Sequence, residues 1–205
     1  MTKENRNKIL ITLLFVGVGG GIAYAIYKLT RKGKTSGSSG LRKAKPELVN
    51  AITGIPCTGS SKFGCKTSSY GMRGGRMHWG IDVRTRDTSG NYNRNIVIKV
   101  PGEVVSAVDS VDNTGWGKRI GIKTDDGIYL LFAHLDNVFV RPGMRVYPFD
   151  IIGISGVTSK PGYNVAPHVH FETCTDSCDN IPGGKANYSL YKVNPKDYLY
   201  TWGLS

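Results

Sequence analysis

Acidic residues are scarce in this chain: 15 Asp and Glu stand against 27 Lys and Arg in 205 residues, a formal charge of +12. Such an excess suggests an anionic partner: nucleic acid, membrane lipid or a cell-wall polymer. Beyond about residue 48 no stripe of clustered Lys and Arg interleaved with aromatics occurs, which weighs against nucleic acid. Nor is there a convincing amphipathic helical window of about ten residues or more, or a solenoid repeat. The 27 glycines follow no fixed period, which excludes a collagen-like chain. Histidine and cysteine occur four times each. Apolar residues at 40% and aromatics at 10% suffice for a packed core and exclude wholesale disorder.

The N-terminal part is the easiest to read. Ile9 to Tyr27 holds no charged residue over 19 positions. As a helix this run would span roughly 28 Å, against about 30 Å of bilayer hydrocarbon. It is apolar all round, unlike a soluble core helix, and its glycines suit a membrane segment. Gly17 and Gly21 form a GxxxG spacing, a weak signal for helix–helix self-association. A retained transmembrane anchor at 9–27 behind a basic tail at 1–8 is the preferred reading. A signal peptide cleaved after Ala23-Tyr24-Ala25 is the alternative, disfavoured because the apolar run continues. Residues 28–47 read as a basic Gly/Ser linker (TSGSSG at 35–40). Residues 1–45 carry ten basic residues and one acid, so +9 of the charge resides there and only +3 beyond. Lipid headgroups are the expected partner of that charge.

From about Leu48 to Ser205 the composition is that of a folded domain, and it reads as mainly antiparallel β. Candidate strands are Asn95–Val100, Glu103–Val108, Arg119–Lys123, Ile128–Ala133, Asn137–Val140, Ile151–Ser155 and His168–Thr173. Pro101-Gly102, Asp126-Gly127 and Pro142-Gly143 mark turns between them. The cysteines form two local pairs, Cys57/Cys65 and Cys174/Cys178. Disulfides in an oxidising compartment are preferred. Free buried thiols or a zinc site stay open, although C-x7-C and C-x3-C lack the tight spacing of structural zinc sites.

The histidines carry the chemistry. His168 and His170 are i and i+2, so on a strand both face one side, with Val169 and Phe171 packed behind. His78 and Asp82 would lie about 13 Å apart on a straight strand, too far to share an ion. A bend between them is required, and Gly80 permits one. Two imidazoles and a carboxylate suit a catalytic zinc with a fourth place left for water. His134, ending a candidate strand, is available for acid/base or oxyanion work. The spacings point to a His/Asp metal hydrolase.

A series of motifs then appears in order: Ser69-Tyr70-Gly71-Met72-Arg73, His78-x-Gly80-x-Asp82, Gly115-Trp116-Gly117, Ala133-His134-Leu135, Pro167-His168-Val169-His170-Phe171-Glu172 and Asn194-Pro195. Over about Thr67 to Tyr198 the chain resembles the lysostaphin/LytM-type zinc metallopeptidases, which cut peptides in bacterial peptidoglycan. That resemblance implies antiparallel sheets around a central active-site groove, of the duplicated hybrid motif type; the apolar run adds one N-terminal transmembrane helix before it. It implies that His78, Asp82 and His170 ligate one zinc ion. His134 and His168 would be the two histidines that activate water and stabilise the tetrahedral intermediate. The expected function is hydrolysis of peptidoglycan cross-links by a membrane-tethered enzyme. A catalytically silent wall-binding or hydrolase-activating module on the same fold is the competing class.

Other positions carry open readings. Glu172 is read as facing away, because it shares the parity of His168 and His170 only on a regular strand; orienting a ligating histidine is the alternative. Arg73 is either a contact for a substrate carboxylate or a structural ion pair. Trp79 reads as a core aromatic, and Trp116 as groove or core. Ser159 to Ala166 departs from the family pattern, as does the polar stretch Asp87 to Arg94, while Pro148-Phe149-Asp150 reads as a turn variant. The flanking charges favour a cytoplasmic C-terminal side by the positive-inside rule. The substrate and the paired cysteines favour the outside, which is preferred; a virion membrane protein would reconcile the two.

Overall fold

The computed structural model describes residues 39–43, 66–85, 95–181 and 184–195. By internal contacts the chain divides into Met1–Gly33 and Lys34–Ser205, and all described residues belong to the second unit. The apolar run at 9–27, Gly17, Gly21, Cys57, Cys65 and residues 87–94 lie outside them. Among the described residues no helix is long and apolar enough to cross a membrane.

The strands are β1 (Lys66–Ser68), β2 (Gly71–Arg73), β3 (Arg76–His78), β4 (Ile81–Arg84), β5 (Asn95–Val97), β6 (Gly102–Val108), β7 (Lys118–Thr124), β8 (Tyr129–Val138), β9 (Arg145–Val146), β10 (Ile151–Thr158), β11 (Asn164–Cys174) and β12 (Lys192–Val193). The single turn of helix α1 (Tyr188–Tyr191) precedes β12. Ten strands form one sheet ordered β1-β4-β11-β10-β8-β7-β6-β9, with β12 beside β11 and β5 beside β10. All its pairings are antiparallel, as expected from the sequence. β2 and β3 form a separate hairpin.

Asp126-Gly127 makes the β7–β8 turn as its composition predicts: Gly127 has φ +91°, and its N–H donates to the Thr124 carbonyl at 3.0 Å. Pro148-Phe149-Asp150 is a turn, with the Asp150 N–H donating to the Tyr147 carbonyl at 3.0 Å. The two candidate strands Ile128–Ala133 and Asn137–Val140 are one long strand, β8, because His134 turns the chain locally without ending its pairing.

The core is built from the buried side chains of this sheet. Phe132 and Phe171 are cross-strand partners, fully buried, with ring centroids 5.1 Å apart. Each such ring removed from water stabilises the fold by roughly 1.5–3 kcal/mol. Ile81, Val83, Ile120, Ile122, Leu130, Leu135 and Val169 belong to the same cluster. Part of the stretch read as linker is docked on it. Leu41 packs against the core, the Arg42 carbonyl accepts the Ile151 N–H at 2.8 Å, and Lys43 pairs with buried Asp150.

Candidate metal and catalytic site

β11 and β4 set the site. Their antiparallel register makes His170 the direct partner of Asp82, and His168 the partner of Arg84. The strand alternation that puts His168 and His170 on one face is therefore observed, and it delivers both to the Asp82 carboxylate. His170 Nδ1 lies 2.9 Å and His168 Nε2 3.6 Å from Asp82 Oδ1. β3 ends at His78 and β4 begins at Ile81, so Trp79 and Gly80 form the break that the spacing demanded. It brings His78 Nε2 within 3.1 Å of both Asp82 Oδ1 and His170 Nδ1.

His134 reaches the same place from β8. Its φ of +63° is rare for a residue with a side chain. Strain of this kind concentrates at functional positions. Here it falls where β8 leaves β11, pairing through Ala133, and takes up β10, pairing through Leu135. The Trp116 carbonyl accepts the His134 N–H at 2.9 Å. The imidazole lies 4.6 Å from that of His168, tilted by 53°, and 6.0 Å from that of His170, edge-on, centroid to centroid.

Each imidazole is held by a neighbour on its outer nitrogen. Carbonyls only accept, so Nδ1 is the protonated nitrogen of His78 (to Ser69 O, 2.8 Å), His134 (to Thr158 O, 2.7 Å) and His168 (to Ala166 O, 2.6 Å). Their Nε2 lone pairs are left for the site. His170 is reversed: its Nε2 donates to Glu172 Oε1 at 2.9 Å, and Nδ1 faces inward. The reading of Glu172 as facing away is thus corrected: β11 stays regular from 168 to 172, so three alternate side chains share one face.

Electrostatics follow from the crowding. Burial raises the Asp82 carboxyl, but hydrogen bonds from His170 and His78 outweigh it and hold it far below the usual carboxylate range. Burial likewise opposes charge on His170, yet hydrogen bonds to Asp82 and Glu172 raise it to about 9. Burial, reinforced by the neighbouring His168 imidazole, lowers His134 to about 4. The ligand atoms of His78, Asp82 and His170 lie within 4.8 Å of one another, a set that fits one metal ion. Arg73 proves to be an ion pair with the site: its Nη1 donates to Asp82 Oδ2 at 3.2 Å and to Ser68 Oγ at 2.6 Å.

All five residues singled out from the sequence therefore meet. Trp79 is half-buried edge-on between Tyr70 and Tyr188. Trp116 packs on the Cys174–Cys178 disulfide cluster, which settles that pair of cysteines. A second group with ligand-like spacing, Glu172, Cys174 and Cys178, has its sulfurs tied in that disulfide. Sequence reasoning missed Thr158 and Lys192. Thr158 donates through Oγ1 to the Leu135 carbonyl at 2.7 Å, while its own carbonyl holds His134. Lys192 pairs with Glu172 across 20 positions, and no local motif marks it.

The comparisons agree with this geometry. The model of Peptidase family M23 matches residues 76–181. The glycyl-glycine endopeptidase ALE-1 of Staphylococcus capitis is 35% identical over 119 residues, 58% of this chain and 30% of that protein. Lysostaphin of Staphylococcus simulans is 35% identical over 119 residues, 58% of this chain and 22% of its own length. The chain thus spans less than a third of these relatives. The solved catalytic domain of the antimicrobial peptidase lysostaphin from Staphylococcus simulans has a TM-score of 0.51 at 29% identity, covering 66% of this chain and 91% of that one. The matched segment exceeds half the chain and holds all five converging side chains, so this chain belongs to Peptidase family M23.

Proposed function

We propose that this chain is a zinc-dependent endopeptidase that hydrolyses peptide cross-links of bacterial peptidoglycan. The convergence of His78 Nε2, Asp82 Oδ1 and His170 Nδ1 carries the reading, with two further imidazoles opening on the same point. Two imidazoles and one carboxylate suit catalytic zinc and leave a fourth place for water or substrate. Zinc, when bound, lowers the pKa of water and polarises a peptide carbonyl.

The remaining work belongs to the chain. Ser69 and Glu172 fix the tautomers of His78 and His170, and Arg73 occupies the second oxygen of Asp82. His134 is neutral at physiological pH with a free Nε2, so it takes the proton from the attacking water and returns it to the leaving amine. His168 faces the same point from β11, and with Nδ1 held by the Ala166 carbonyl it stabilises the carbonyl oxygen as that gains charge only by donating a proton carried on Nε2. The name of the relative ALE-1 makes glycine-rich cross-links the first substrate to test.

The test measures zinc content and release of amino groups from peptidoglycan by the purified chain. One zinc per chain and digestion are expected; His170→Ala is expected to lose the zinc, and His168→Ala to keep it while slowing digestion about 10²–10⁴-fold. A metal-free, inactive wild type would point instead to a silent wall-binding module. In the same reading, residues 9–27 hold the chain in a membrane with the peptidase outside the cytoplasm. The disulfide Cys174–Cys178 supports an oxidising compartment. Protease added to intact cells should then degrade the domain; full protection would reverse the orientation.

A further inference from the structure

Lysine is almost never fully buried unless paired. Yet the Lys192 side chain has no exposed surface, and it comes from β12, beyond the segment matched by the family. Its ammonium pairs with Glu172 Oε2 and lies 4.2 Å from the Tyr188 ring centroid and 5.0 Å from that of Trp116. The rings cover it with π faces that attract a cation. The other oxygen of Glu172 accepts from His170 Nε2, and His170 Nδ1 faces Asp82 and His78. An unbroken buried chain therefore runs from Lys192 through Glu172 and His170 to the candidate metal point.

We infer that Lys192 is a positioning residue for the metal site, acting on His170 through Glu172. The inference rests on the zinc reading above. A buried carboxylate with His170 as its lone partner is free to rotate about its side-chain torsions. The ammonium prevents this: it occupies Oε2 and aims Oε1 at His170 Nε2. The imidazole is thereby pinned with its Nδ1 lone pair inward, the state a metal requires. Trp116 joins this support to the second half of the site, since its ring covers Lys192 while its carbonyl holds the His134 N–H.

The test is a double-mutant cycle on zinc affinity, measured on the full chain by competition with a chromophoric chelator, with folding checked by circular dichroism. Lys192→Met is expected to weaken zinc binding about 10–100-fold. In a Glu172→Gln background the same change should alter affinity by less than about twofold, because the coupling partner is gone. Equal effects in both backgrounds, or none in the Glu172 background, overturn the inference. If Lys192→Met does not fold, the wild type decides. The shielded ¹⁵Nζ resonance of Lys192 should shift when one equivalent of zinc is added, and His170 should show a protonated Nε2. An unshifted Lys192 signal in a chain that binds zinc overturns the inference alone; a wild type that binds no zinc overturns the zinc reading as well.

Discussion

A methyl group on Gly80 would sit 2.6 Å from the Phe171 carbonyl oxygen and 2.7 Å from two ring atoms of His170. The absence of a side chain is thus a condition of the site, and close approach rather than an unusual φ is the reason. Gly80→Ala is expected to destabilise the fold by about 1–3 kcal/mol, as overpacking does. It should also lower zinc occupancy, because the atom displaced belongs to a candidate ligand. Urea unfolding and metal analysis of the variant check both; an unaltered zinc content would show that His170 has room to yield. The five candidate residues were legible because strand parity, short spacings and the ordered motifs that resemble the family are all local quantities. Glu172 was legible too, but its facing depended on β11 staying regular, which its neighbours in space decide. Lys192 and Thr158 meet the site only through pairing between distant segments.

At the scale of elements, β8 and β11 carry both the core and the chemistry. His170 faces the site while Phe171, the next residue, is buried against Phe132, so packing and ligand placement are coupled along one strand. Phe132→Ala is expected to cost about 3–5 kcal/mol, measured by chemical denaturation. A loss below about 1 kcal/mol would mean that the pair is not the centre of the core. Long apolar strands such as β6, β7 and β10 were readable from alternation and turn chemistry. The short strands β1 to β4 were not, because pieces of three or four residues take their identity from their partners. β8 was read as two strands because its polar middle, with His134 in the left-handed region, breaks the pattern while the ladder continues.

For the whole molecule, the site's titrations set the pH dependence of stability. His134 falls to about 4 in the folded state from 6.5, so its contribution is complete above pH 6.5 and is lost as pH falls towards 4. His170 rises to about 9, so its contribution is complete below pH 6.5 and is lost as pH rises towards 9. Metal-free protein, kept so with a chelator, should therefore be most stable near pH 6.5 and weaken on either side. Urea midpoints across pH 4–9 check this, and a monotonic profile would contradict it.

The charge is distributed as unevenly as the chemistry. Most of the +12 lies within residues 1–45, and the folded domain is only mildly cationic. By itself the sequence determined the β class, the hairpin turns and the apolar run through composition, periodicity and local spacing, and it offered five candidate site residues whose roles came from the family resemblance. Tertiary structure alone decided that Glu172 turns inward, that Lys192 closes the chain behind His170, and that part of the linker docks on the core. Each of these depends on burial and on partners far along the chain, which no local pattern encodes.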